Sequence, residues 1–473
     1  MVKASLDRGR LASAGFVVLL AVVLGGSIAR ADFHPICPAG ESWDAPMAMC
    51  MPDSPGPVAP SHYLLMSNAT MYDRMTSPDG CGPGEYFQFG MSMCVSRPLI
   101  RGRFSGMLMG NAFLVDTGET GPRGRRSLAA PNWVMLNAGV DLASWNRVEL
   151  DVMATVELWT YPRRGYAELL QIGEEDASGK PFLDAQHPHS SPLMGLAVTD
   201  VMSFSRDKNR LLRVWFAPRG ETTDGPIAFM HRMTATYNPD APLGHHVGQD
   251  VGHVSSTVLG ASLRIDNTLL EASTFHGLEP QPTAVDLPLG SPDSVAVRVA
   301  QDFAARRLTV AASFAYVNDP EGDPTIPSAL RLSASAYLHH DLPHNWRAHA
   351  TAIWGGITGF DHASFLESVT LEALFLDDSN ALWSRLEVLQ RTPGELEIAS
   401  TSPNGGEWVG ALTVGYTRRI ISLWGFDFSV GASGTLDFLP SDFATAYGGQ
   451  VAAIGRVFLG ARLMKMWTVG PHG

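Results

Sequence analysis

Cysteine is almost missing from this chain of 473 residues: there are four, and none lies beyond position 94. Long apolar runs are missing as well. The one candidate, Leu11 to Leu24, is shorter than the roughly 20 residues a helix needs to cross a bilayer core. Nothing downstream approaches it, which excludes a helical membrane protein. Charge is thin, at 17% of residues, and the basic residues are the minority, 34 against 47 acidic. That balance argues against nucleic acid as a partner. There is no Gly-rich phosphate loop, no HExxH motif and no nucleotide signature. A conventional soluble enzyme is therefore disfavoured, and no organic cofactor is indicated.

What is present begins with an export pattern. Lys3, Arg8 and Arg10 precede the apolar run, and Ala29-Arg30-Ala31 supplies a small-x-small cleavage site, so residues 1–31 are predicted to be a signal peptide. Its removal takes away Lys3, Arg8, Arg10, Arg30 and Asp7, leaving a more acidic chain of 30 Lys+Arg against 46 Asp+Glu. Hydrophobic residues make up 45% of the chain, yet the mean hydropathy is only +0.02. A wall that is greasy on one side and wet on the other has this composition.

From Arg101 onwards the chain breaks into segments of about ten residues with strict alternation, the period of a strand. Between Arg147 and Leu158, Val148, Leu150, Val152, Ala154, Val156 and Leu158 share one face. Arg147, Glu149, Asp151, Met153, Thr155 and Glu157 share the other. In Trp346 to Trp354 the apolar face begins and ends on tryptophan, as interfacial girdles require. Sixteen strands are predicted, with an uncertainty of about two, near 101–115, 131–142, 146–158, 194–205, 209–217, 254–264, 267–276, 293–303, 307–317, 328–339, 345–356, 363–376, 380–391, 407–419, 423–434 and 447–463. Short connections such as Ala143-Ser144-Trp145 tend to alternate with long ones such as 159–193 and 218–253. Short turns on one side and long loops on the other mark an outer-membrane barrel better than a soluble sandwich. The expected fold is thus all-β: a transmembrane antiparallel barrel over 99–467, with a tail at 468–473 and both termini periplasmic. Trp467 is followed by Thr468 to Gly473, whereas such chains usually finish on an aromatic residue.

Residues 32–98 carry a duplication. CPAGESWDAPMAMC (37–50) and CGPGEYFQFGMSMC (81–94) share Cys, Gly, Glu, Met, Met and Cys at equivalent positions. Local disulfides, Cys37–Cys50 and Cys81–Cys94, are favoured by the repeat, though two other connectivities exist on paper. The thioethers of Met47, Met49, Met51, Met91 and Met93 are candidate soft-metal ligands; adaptable packing, including against a periplasmic partner protein, is the competing role.

Methionine is distributed unevenly. Of nineteen, sixteen fall between Met47 and Met233, and none between 234 and 463. Strand parity places Met107 and Met109 beside Arg103, Ser105 and Asn111, Met135 beside Asn137, Met153 beside Asp151, and Met202 beside Asp200. All are expected in the lumen, as a sulfur-lined track for Cu(I) or as a wall against which the N-terminal segment packs as a plug.

The connection 218–253 holds His231, Met233, His245, His246, Asp250 and His253. Imidazoles, a carboxylate and thioethers in one loop can bind copper or zinc, although the spacing matches no standard zinc motif. The motif Phe229-Met230-His231-Arg232-Met233, then Pro239-Asp240-Ala241-Pro242-Leu243-Gly244-His245-His246, then Leu270-Glu271-Ala272-Ser273-Thr274-Phe275-His276-Gly277-Leu278-Glu279-Pro280, resembles a family of proteobacterial outer-membrane barrel proteins. Cys37 to Cys50 resembles that family's N-terminal segment. Members are often associated with copper or heavy-metal resistance, so the resemblance implies metal handling. Gly248 to His253 departs from the family's usual tryptophan- and threonine-containing version. His187 and His189, in the other long loop, are candidates to join such a site, with simple exposure the favoured reading, and His339, His340 and His344 are read as polar turn residues.

Three functions follow. The leading one is an outer-membrane barrel that binds or moves copper, with membrane lipid and a small ion as partners. The second is a porin-like channel for another solute. The third, an outer-membrane lipase using His253 with Ser255 or Ser256, lacks an aligned orienting group in the sequence.

Overall fold

The computed structural model describes residues 41–44, 49–52, 76, 78–82 and 84–470, apart from 177, 190, 206–208, 323 and 360–362. It forms two units, residues 1–57 and 58–473.

Alternation dictates the main unit. Strand side chains point to opposite faces in turn, so a segment with one apolar face must turn that face to an apolar medium. Sixteen strands do so and close into one antiparallel barrel. They are β1 (Phe104–Glu119), β2 (Arg126–Ala129 continuing as Asn132–Ala143), β3 (Asn146–Ala154), β4 (Leu193–Ser203), β5 (Arg210–Gly220), β6 (Ser255–Ile265), β7 (Thr268–His276) and β8 (Ser294–Phe303). The circuit continues through β9 (Leu308–Asn318), β10 (Ser328–Asp341), β11 (Arg347–Ile357), β12 (Leu366–Leu376), β13 (Asn380–Arg391), β14 (Glu407–Leu423), β15 (Phe426–Phe438) and β16 (Val451–Val469). Each pairs with its neighbours in sequence, and β16 returns to β1 from Ile454↔Glu119 to Val469↔Phe104. No backbone edge is left open. Every predicted strand is present.

The outer surface carries Leu150, Val214, Val297, Leu371, Val414 and Leu459 among many exposed apolar side chains, while Glu149, Arg213, Arg298, Thr370, Thr413 and Arg456 point inward and are buried. The connections after β2, β4, β6, β8, β10, β12 and β14 are two to six residues long, and those after the odd strands from β3 onwards are eight or more, with six after β1. Both ends of the barrel chain therefore lie at the short-turn end.

Three local expectations are corrected. The strand predicted over 146–158 ends at Ala154, because Thr155 Oγ1 donates to the Asn132 carbonyl (2.7 Å) and Val156 N–H to Asn132 Oδ1 (2.9 Å). Glu157–Thr160 then makes one helical turn that buries Glu157. Met202 faces outward with Asp200. A register irregularity between Leu196 and Val198 reverses the parity of β4, so that Met194 is inside but Thr199 and Val201 replace Met202 there. His339 is no turn residue: β10 runs to Asp341, and His339 is buried opposite His349.

The lumen is occupied. From the short-turn end comes a hairpin, Glu85–Gln88 with Met93–Ser96, stapled by the expected Cys81–Cys94 disulfide. Arg264 Nη2 donates to its Phe87 carbonyl (3.3 Å), and Phe89 meets Tyr337 edge-on, ring centres 5.7 Å apart. From the long-loop end come the hairpin Tyr166–Glu175 with Pro181–Gln186 and the connection 221–254. Arg232 grips Glu372 with two bonds of 3.1 and 3.0 Å. Arg456 pairs with Asp240 at 2.9 Å, and Arg391 donates to the Leu170 (2.9 Å) and Leu243 (2.7 Å) carbonyls. Buried pairs of this kind repay their own desolvation poorly, so their main effect is to fix where each insert sits.

In the other unit, Glu41–Asp44 pairs with Met49–Pro52 from Glu41↔Pro52 to Asp44↔Met49. The plug hairpin has the identical register, Glu85↔Ser96 to Gln88↔Met93. The duplication read from sequence is thus a duplicated fold. Cys37 lies outside the described residues, and with it the Cys37–Cys50 pairing.

Candidate metal centre

Two long connections bring five imidazoles together. His187 and His189 follow the lumenal hairpin between β3 and β4, and His245, His246 and His253 come from the connection between β5 and β6. The second group sits on a tight turn. Gly248 has φ +69°, and a Cβ there would lie 2.4 Å from the Gly356 nitrogen of β11. Only glycine permits this approach. Gln249 then anchors the turn by donating to Ser368 Oγ (3.0 Å) and Thr370 Oγ1 (2.8 Å) of β12.

Four of the five rings are oriented by a second group. His187 Nδ1 lies 3.0 Å from the Pro188 carbonyl, and His253 Nδ1 2.6 Å from the Asp250 carbonyl. His189 Nδ1 lies 2.6 Å from Glu157 Oε2, and His245 Nδ1 is bonded to Asp250 Oδ1. A carbonyl or carboxylate can only accept, so these Nδ1 atoms carry the proton and the Nε2 atoms keep their lone pairs. Those Nε2 atoms converge. His187 Nε2 is 3.2 Å from His246 Nε2, and His189 Nε2 is 2.9 Å from His253 Nε2.

The first pair can be satisfied by a proton on His246 Nε2. The second cannot in its neutral form, because both Nδ1 atoms are already donors and two lone pairs would face each other at 2.9 Å. The contact is relieved by an extra proton, by a metal ion held at both nitrogens, or by a change of ring orientation. Nitrogens around one metal at 2.0–2.1 Å stand about 3.3–3.6 Å apart in tetrahedral or trigonal geometry. The 3.2 Å spacing of the first pair is close to that, and the 2.9 Å of the second is shorter. His187, His245 and His246 also offer nitrogens that all lie within 4.8 Å of one another.

Electrostatics favour unprotonated rings. Burial, reinforced by the neighbouring imidazoles, holds His246 and His253 well below the ordinary histidine range and His187 down to about 3. Burial would raise the Asp250 carboxyl, but His245 and Arg232 outweigh it and keep it ionised. His187, His246 and His253 are thus held neutral beside the Asp250 carboxylate, the state a metal ion needs.

The structure gathers His245, His246, Asp250 and His253 as expected, brings in His187 and His189 from the other long loop, where exposure was the favoured expectation, and adds Glu157, expected on a strand face. A His-Pro-His triplet in a long connection was the only available signal. His231 is buried apart from the five, edge-on to Trp133 at 5.4 Å. Met233 Sδ accepts from Thr76 Oγ1 (3.3 Å). Met93, Met107 and Met109 are buried in one apolar cluster with Tyr86, Phe87 and Phe89. Met47 lies outside the described residues, and only the backbone of Met49 is described. Ser255 Oγ donates to the Gly252 carbonyl (3.4 Å) while His253 Nε2 faces His189, so the two do not form a serine–histidine pair.

No protein-family model and no curated relative matches this sequence. Solved porin structures align with it. They include Salmonella typhi OmpF in complex with daunomycin, at 10% identity over 76% of this chain and 97% of that one (TM-score 0.46). Pseudomonas putida OprB aligns at 11% identity over 77% and 94% of the two chains (TM-score 0.46). The anion-selective porin from Comamonas acidovorans aligns at 10% identity over 76% and 98% (TM-score 0.44). The fold assignment rests on the closed strand circuit itself.

Proposed function

We propose that this chain is an outer-membrane barrel that binds a transition-metal ion, copper being the first candidate, within its lumen. The apolar outer belt, the wet interior and the short-turn/long-loop asymmetry support the membrane placement, with the short turns periplasmic. The observation that carries the metal reading is the His189–His253 contact, where two Nε2 lone pairs meet at 2.9 Å in a buried site with three more imidazoles. Imidazole suits Cu(II) and Zn(II) alike, and the acidic chain would draw either cation towards the barrel.

A freely conducting porin for another solute fits less well, because inserts from both ends are bonded to the wall. The ion is therefore held, or passed only when an insert moves.

The test is a titration of the refolded, metal-stripped full chain with Zn(II) and Cu(II). One tightly held equivalent is expected, lost in the His245→Ala/His246→Ala double variant and kept in His276→Ala, whose histidine lies at the barrel rim. Equal binding by the double variant and the parent protein would remove the lumenal site.

A further inference from the structure

Beside the imidazole centre, a cavity of about 70 Å³ lies where the plug from one end meets the connection 221–254 from the other. Its walls include four thioethers from four different places: Met91 of the plug, Met153 of β3, Met194 of β4 and Met230 of the connection. His231 and His253 also line it, as do the charged side chains of Asp151, Arg213, Glu221, Glu271 and Arg298. The volume admits an ion or a few waters.

Packing alone explains the cavity poorly. His231 is 3% exposed, and its Nδ1 has no hydrogen-bond partner among the described residues. A buried polar atom with an unmade bond is destabilising, so an apolar residue would serve packing better there. The thioethers are also the end of a larger array. Met464, Met109, Met135 and Met153 face one another across β16, β1, β2 and β3, every one turned inward and buried. This row ends at the cavity. His253 belongs to both sites: its ring borders the cavity while its Nε2 faces His189.

We propose that this cavity is a second, softer cation site, distinct from the imidazole centre, in which Met153, Met194, Met230 and His231 bind a monovalent soft ion of the Cu(I) or Ag(I) class. Thioether sulfurs satisfy such an ion and offer little to Zn(II), Mg(II) or Ca(II). The inference deepens the metal reading but does not need it, since the donors of the two sites differ except at His253.

Ag(I) is the probe, because it needs no reductant and leaves the Cys81–Cys94 disulfide intact. The full chain is titrated with Ag(I), and in parallel with Zn(II), in the parent protein, in Met153→Leu/Met194→Leu/Met230→Leu and in His245→Ala/His246→Ala. Leucine keeps volume and apolarity, so folding is expected to survive. The triple variant should lose one equivalent of Ag(I) and keep Zn(II); the histidine variant should do the reverse. X-ray absorption supplies a second readout, a sulfur-coordinated silver signal in the parent protein that is diminished only in the triple variant. Undiminished Ag(I) stoichiometry and an unchanged spectrum in that variant would show that the methionines only pack. Loss of Zn(II) binding in every form, with Ag(I) retained, would overturn the imidazole centre and leave the soft site standing.

Discussion

At the scale of single residues, the decisive atoms are those that fix a proton. Glu157 holds the Nδ1 proton of His189 at 2.6 Å and thereby turns its Nε2 lone pair towards His253. Outer-shell carboxylates of this type typically contribute 10–100-fold in metal affinity. Glu157→Gln should therefore weaken Zn(II) binding by about that factor, measured by competition with a chromophoric chelator; unchanged affinity would mean the carboxylate only packs. The pH dependence follows from the same burial. His187 is held down to about 3 and His231 to about 4, while in an unfolded chain both titrate near 6.5. Below about 6.5 the unfolded segments bind protons that the folded ones refuse, so stability is full above that value and falls as pH drops towards the folded values. Without metal, proteolysis of the connection 221–254 should accelerate between about pH 6.5 and 4, and bound Zn(II) should shift that onset to lower pH.

At the scale of elements, the loops are as rigidly specified as the strands. The turn His245–Gln249 lies so close to β11 that a Cβ on Gly355 would meet the Gly248 carbonyl carbon at 2.6 Å. Gly355→Val should lift the turn off the wall and lower metal affinity by at least about 10-fold, equivalent to about 1.4 kcal/mol, while the barrel keeps its heat-resistant mobility in gels. Arg232 anchors the other end of the connection to Glu372 and lies 3.5 Å from Asp250. Arg232→Ala leaves buried carboxylates short of their partner, a loss of about 3 kcal/mol or more. It should show as early proteolytic cleavage within 221–254, before any loss of strand signal by circular dichroism. Parity faults also act at this scale. The irregularity in β4 puts Met202 outside and Met194 inside, which strict alternation could not anticipate.

For the whole molecule, closure is what matters. Met464 and Met466 stand more than 230 residues from the previous methionine in sequence. The β16–β1 seam sets them opposite Met109 and Met107. Two separate sulfur-rich regions become one inner row only because the first and last strands pair. The same closure makes the lumen a vessel with two stoppers. The full chain is expected to show little conductance in a planar bilayer, and deletion of residues 32–98 should open stable channels by removing the plug. Large conductance in the intact protein would contradict the stoppered lumen.

The chain's own order of residues determined the barrel, the strand number, the inward face of nearly every strand and the duplicated hairpin. These follow from a period of two and from local similarity, which act between neighbours in sequence and need no knowledge of distant contacts. His245, His246, Asp250 and His253 were legible as a group for the same reason. Only the tertiary structure decided that His187, His189 and Glu157 join them, that His231 stands apart, and that Met91, Met153, Met194 and Met230 surround one cavity. Those groupings depend on how far each long connection folds back into the lumen and which wall arginine catches it. Such contacts link residues tens to hundreds of positions apart, and no local pattern encodes them.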